Sequence, residues 1–194
     1  MPLASSLFLP RVVKGIIFNL LEEVLTQKLG PDTWDDLLKS VQDEGSFTSL
    51  GSYPDERFVK LVNAAAGLLH QPSDAVIRWF GSEAIPLLEK KYPAFFARHQ
   101  ATRPFLLTIN AIIHPEVRKL YPGADTPDFD LDASSPDVLV MGYRSKRKLC
   151  ALAEGLIDGA ARHYGERVSI HHGECMHRGD PQCRLTLSFA RPPC

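Results

Sequence analysis

From Gly15 to about Tyr121 the apolar residues recur at the three- and four-residue spacing of helices with one buried face. FNLLEEVLTQKLG, TWDDLLKSV, ERFVKLVNAAAGLL and DAVIRWFGSEAIPLLEKKY all follow it. Gly and Pro interrupt the pattern at Gly30-Pro31, between Gly45 and Pro54, at Gln71-Pro72 and at Tyr92-Pro93, and Asp32, Asp55 and Ser73 stand where a side chain can cap the next helix. The segment RPFLLTINAIIHPEVRKLYPG continues as a helix, with Phe105, Ile109, Ile112 or Ile113, and Val117 available for its buried face. His114 lies inside it, and Pro115 removes a backbone donor and is expected to bend the helix there.

After Pro122-Gly123 the pattern changes. DFDLD and DVLVMGYRS alternate as strands do, KRKLCALAEGLIDGAARHYG reads as a helix, and RVSIHHGEC and QCRLTLSFA flank the turn-rich HRGDP as a hairpin. Many helices followed by strand, strand, helix, strand, strand predict an α+β fold. The expected architecture is a helical N-terminal lobe, and a C-terminal lobe of helices with a four-stranded antiparallel sheet.

Composition narrows the class. Lys plus Arg number 22 against 23 Asp plus Glu, a net charge of -1 that gives no broad positive field for nucleic acid or an anionic membrane. No apolar run approaches the roughly 20 residues that span a bilayer. The opening MPLASSLFLPRV has a short apolar stretch with no basic residue ahead of it, cut off by Pro10 and Arg11, so it does not read as an export signal. Residues 1–13 are therefore expected to be an extension outside the fold, 14–190 the domain and 191–194 a tail. Four cysteines in a chain of this length do not form a disulfide scaffold, and a reducing, cytoplasmic setting makes them candidate metal ligands.

Two groups of residues carry chemistry. Tyr143, Ser145 and Arg147 lie at i, i+2 and i+4, and on an extended chain they share a face. A phenol, a hydroxyl and a guanidinium together form a cradle for carboxylates, although such a strand end alone is more often a solvated surface. A lone histidine on an apolar helix is likewise more often a core residue than a ligand. Together the two features have a shared explanation: a neutral imidazole in an apolar pocket binds haem iron, and the two haem propionates need donors.

The second group is Cys150, His172, Cys175 and Cys183, with H-x2-C and a later cysteine on the predicted hairpin. Three sulfurs and an imidazole suit tetrahedral zinc, and a set with no free position is structural rather than catalytic. Alternatives remain at this stage: Cys150 as a small hydrophobe, a Cys175–Cys183 disulfide, and His171 or His177 in place of His172. Cys194 reads as a bystander.

Through KGIIFNLLEEV, the helical His114 and the Y-x-S-x-R stretch YRSKR, the sequence resembles the haem-nitric oxide/oxygen-binding (H-NOX) family from about Lys14 to Ala190. The resemblance implies haem b with His114 as its proximal ligand, Tyr143, Ser145 and Arg147 on its propionates, and Pro127 pressing on the porphyrin. Some bacterial members carry a cysteine-rich zinc site in this part of the fold. The positions matching the family's distal donors read Leu21, Ala84 and Leu152, none of which can donate a hydrogen bond, so the resemblance points to a bacterial sensor that binds NO and CO without holding O2. It also implies that His114 is released when NO binds. With no room for an output domain after the last strand, the expected partner is a separate histidine kinase or cyclic-di-GMP enzyme. The competing readings are a zinc/thiol redox or small-ligand module and a peroxidase, and the apolar distal matches give the latter no acid or base. The chain is accordingly expected not to be an enzyme.

Overall fold

The structure is a computed structural model that describes residues 11–190. Four helices form at the predicted positions: α1 (Gly15–Leu29), α2 (Thr33–Val41), α3 (Asp55–Leu69) and α4 (Ser73–Lys91). Gly30 ends α1 with φ 113°, and Gln42 and His70 end α2 and α3 in the left-handed region. The expected side-chain caps do not form. Asp32 precedes α2 without a capping bond, while Asp55 and Ser73 fall inside the first turns of α3 and α4, after the extended Pro54 and Pro72. Ser73 instead donates to the Asn63 side chain at 2.7 Å.

Two strands of three residues escape the hydrophobic pattern. β1 (Val12–Lys14) pairs antiparallel with β2 (Ser52–Pro54), Val13 opposite Tyr53. Val13 is buried, so the fold is under way by Val12, two residues ahead of the expected boundary at residue 14. The rest of the expected extension, and the tail from residue 191 with Cys194, lie outside the described residues. A Cβ on Gly15 would sit 1.9 Å from the Thr48 carbonyl oxygen, which explains the glycine at the start of α1.

The long helix expected around His114 is divided. After α5 (Pro93–Phe96) and α6 (Thr102–Leu107), residues Ile109–Ile113 form a π turn that runs into α7 (His114–Leu120). The His114 N–H bonds to the Ile109 carbonyl, five residues back. Pro115 has no N–H, and its ring would collide with the carbonyl four residues earlier; widening the turn by one residue relieves both problems.

The remaining elements are β3 (Asp128–Asp132), β4 (Val138–Arg144), α8 (Cys150–His163), β5 (Arg167–His172), a 3-10 turn at Met176–Arg178 and β6 (Cys183–Ala190). The sheet runs β3-β4-β6-β5, antiparallel throughout, with β5 and β6 as the expected hairpin. This is the expected α+β architecture. Leu139, Met141, Leu185 and Leu187 on its central strands form one core with Ile85 of α4 and Ile157 of α8, while Phe18, Phe58 and Phe80 centre a second core among the N-terminal helices. Helix α4 contributes to both.

Helices α4 and α8 approach so closely that a Cβ on Gly155 would lie 2.0 Å from the Arg78 carbonyl oxygen. Gly155→Ala should therefore force the helices apart and cost about 1–3 kcal/mol or more, read as a lower urea midpoint. Gly67→Ala, in α3 with nothing within 4 Å of its Cβ, should leave the midpoint unchanged or raise it by up to ~1 kcal/mol.

Candidate functional site

A cavity of about 340 Å³ opens between α1, α4, the π turn with α7, the start of the sheet and α8, a size suited to a small molecule or cofactor. Most of its wall is aliphatic or aromatic, including Ile17, Leu20, Ile85, Leu88, Leu152 and Leu156. Polar groups enter at few places, and the sequence-predicted residues account for several.

His114 reaches the wall from the junction of the π turn and α7. Its ring stacks on Phe129 with centroids 5.6 Å apart. Burial, with the nearby Arg118 charge acting in the same direction, lowers its pKa to about 4, so the imidazole is neutral at pH 7 and keeps a lone pair for a metal. Asn110 of the π turn donates to the Phe129 carbonyl and ties this segment to β3.

Tyr143, Ser145 and Arg147 also line the cavity, though not from one strand face as expected. β4 ends at Arg144, and a turn that includes Lys148 at φ 53° carries Ser145 and Arg147 inward and delays α8 until Cys150. Burial pushes the Tyr143 hydroxyl up to about 12, so it remains a donor. Arg147 donates to the Val12 carbonyl at 2.7 Å and to the Asp125 carbonyl, joining β1 to the segment ahead of β3. Pro127 is on the same wall.

Of the three positions read as distal, Leu152 lines the cavity, while Leu21 and Ala84 are buried in the N-terminal core and are not on the wall. Their neighbours Leu20 and Ile85 face inward instead, since one residue along a helix turns the side chain by about 100°. The substituted wall is still apolar. Two phenols went unnoticed in the sequence: Tyr92 and Tyr121 line the cavity and hydrogen-bond to each other. Both precede prolines, where they read as helix ends.

Beside the cavity, the ligand atoms of Cys150, His172, Cys175 and Cys183 lie within 4.8 Å of one another. The three thiols are free, with Cys175 Sγ 4.0 Å from Cys150 Sγ and 3.9 Å from Cys183 Sγ, so the alternative Cys175–Cys183 disulfide is not formed. His172 is the histidine in the cluster. His171 points to the exposed face of β5, and the His177 ring bonds to the Lys148 carbonyl at 2.7 Å. His172 Nε2 is buried without a partner, as a vacant ligand position would leave it. Tyr143 packs against Cys150 and Cys183, so the two sites share a wall.

An apolar cavity with one neutral histidine and a tyrosine, serine and arginine at its edge fits haem: a ligand for iron, donors for propionates and a hydrophobic bed for the ring. The protein class is thus a haem-pocket domain of α+β architecture. The Haem-NO-binding family (HNOB) matches residues 14–172, and the chain belongs to that family of haem-based gas-binding sensor domains. Its structure resembles the crystal structure of an H-NOX protein from S. oneidensis in the Fe(II)NO ligation state, at 29% identity and TM-score 0.86, covering 92% of this chain and 100% of that one. The solution structure of the IWP-051-bound H-NOX from Shewanella woodyi in the Fe(II)CO state is 30% identical with TM-score 0.78, over 93% and 95% of the two chains. The Fe(II) unliganded H-NOX from K. algicida, 24% identical, shares the fold with TM-score 0.81 over 94% and 99%.

Arg147→Met should leave the Val12 and Asp125 carbonyls without their donor and remove a charge from the cavity edge. Loss of such bonds typically costs about 1–3 kcal/mol, so both the melting temperature of the haem-free chain and the retention of haem against a scavenging apoglobin should fall. Unchanged haem transfer would remove Arg147 from the site.

Proposed function

We propose that the protein is a nitric-oxide sensor in which His114 ligates ferrous haem b and lets go when NO binds. The observation that carries this reading is His114 itself, neutral and aimed into an apolar cavity whose edge holds Tyr143, Ser145 and Arg147. Those three would bind the propionates, and Pro127 would pack against the ring. The bound haem supplies an iron that takes diatomic gases; the chain's residues orient it, exclude water and decide which gas stays.

Gas choice follows from the wall. A hydrogen bond to a charged acceptor is worth about 1.5–3 kcal/mol, so a wall without a donor would weaken the holding of O2 by roughly tenfold to a hundredfold. Leu152 offers no donor, nor do Leu20 and Ile85, which face the cavity where Leu21 and Ala84 were expected. Tyr92 and Tyr121 also line the cavity, and their mutual bond commits one O–H and leaves the second as a donor, so the donor-free part of the wall is that of Leu152, Leu20 and Ile85. NO and CO, with less charge separation, bind without such help. H-NOX from Shewanella oneidensis has been solved in NO and CO ligation states, in line with this assignment.

Release of His114 would free α7, with the π turn at Ile109–Ile113 as its joint. Shifting a two-state equilibrium from 1:99 to 99:1 takes about 5.5 kcal/mol of differential stabilisation, for which a broken axial bond is a source of suitable kind. The output passes to a separate cytoplasmic partner, a histidine kinase or a cyclic-di-GMP enzyme. The Cys150, His172, Cys175 and Cys183 set would hold structural zinc, and oxidation of its thiols would release the metal and add a redox input.

In the NO-free state, His114→Gly should give the α7 amide-exchange pattern that the unmodified protein shows with NO; the pattern of the unliganded protein would contradict the release. Leu152→Tyr should place a phenol donor in the wall and prolong the life of the oxygen complex in air about tenfold or more, followed by visible absorption. A complex no more durable than that of the unmodified protein would remove the missing donor as the cause of gas choice.

A further inference from the structure

Helix α8 presents different side chains to two sites. Leu152, Ala153 and Leu156 face the gas cavity, while Cys150 joins the cysteine–histidine cluster. One turn after Cys150 is Glu154, a buried acid among the described residues. Its Oε1 lies 2.6 Å from His172 Nδ1. Its Oε2 accepts from Arg78 Nη1 of α4 at 2.7 Å, and Arg78 Nε donates to Asp158 at 2.7 Å.

The proton position follows from these partners. Oε2 is taken up by the Arg78 guanidinium, and Oε1 is placed to accept from Nδ1–H of the His172 ring. The other ring nitrogen, Nε2, is buried without a partner, on a side chain whose ligand atom lies within 4.8 Å of the three sulfurs. We propose that Glu154 is a positioning residue for the metal site: it fixes the tautomer and direction of His172 so that Nε2 completes the ligand set, and Arg78 holds the carboxylate in place from α4. This rests on reading the cluster as a zinc site.

The arrangement has a consequence for the gas cavity. Arg78 belongs to the helix that supplies Ile85 and Leu88 to the cavity wall, so the metal site is braced against α4 as well as against α8. An ion pair that merely stapled α4 to α8 would need neither the His172 contact nor an orphaned Nε2.

The test uses the full chain, loaded with haem and zinc. Zinc affinity is measured by competition with a chromogenic chelator, and the His172 proton is located by long-range 1H–15N NMR. Glu154→Ala should weaken zinc by about 10–100-fold, the usual effect of losing such an outer partner, and should leave His172 in mixed tautomers once zinc is removed. Glu154→Gln, which keeps an acceptor oxygen for Nδ1–H, should recover much of the affinity. Haem content and far-UV circular dichroism matching the unmodified protein show that both variants fold, and Glu154→Gln carries the test if the alanine variant does not. Unmodified zinc affinity in folded Glu154→Ala, or a proton on Nε2 in the metal-free protein, would overturn the positioning role while leaving zinc in place. Failure of the unmodified chain to bind one zinc would overturn the metal reading and this inference with it.

Discussion

The contact between α4 and α8 is the constraint on which both sites depend. It is close enough to require glycine at position 155, where a methyl group would enter the Arg78 carbonyl, and Arg78 then reaches across it to Glu154 and Asp158. Fixing α8 in this way sets Leu152 and Leu156 on the cavity wall and Cys150 in the cysteine–histidine cluster. A displacement of α8 would be felt at both, since close-packed interiors transmit strain rather than absorb it.

Opposite requirements meet in the cavity. A ring as large and apolar as haem needs a wall without competing polar groups, while its two carboxylates need donors near water. The cavity wall is aliphatic where α1, α4 and α8 line it, and its polar edge is the turn after β4, where Ser145 and Arg147 sit next to the buried Tyr143. His114 is the polar exception within the apolar part. Burial suppresses its charge, which makes it a better ligand, and Pro115 opens the helix before it into a π turn. The proposed iron ligand thus stands where its helix departs from α geometry.

Much of this was legible in the sequence because it depends on periodicity and residue type. The helices of the N-terminal half follow their three-four spacing, the last two strands pair across HRGDP, and His172, Cys175 and Cys183 converge because the hairpin brings its strands together. What stayed hidden depends on three-dimensional neighbours. β1 and β2, at three residues each, are too short to show alternation, so Val12 and Val13 fell on the wrong side of the boundary. Tyr143, Ser145 and Arg147 meet through a turn, not through strand geometry. Leu21 and Ala84, taken from the family resemblance, stand one residue away from Leu20 and Ile85, which line the wall. Glu154 carries no signal in the sequence; its contact with His172 exists only once β5 brings that residue to α8.

The central claim, that His114 holds an iron whose bond to it breaks on NO binding, is tested most directly by the absorption spectrum of the reduced, haem-loaded protein before and after stoichiometric NO. The account predicts a Soret band of histidine-bound ferrous haem that moves, on NO addition, to the position of nitrosyl haem without a histidine ligand. A band that retains the six-coordinate, histidine-bound form at equilibrium would contradict release, and a chain that takes up no haem would contradict the site itself.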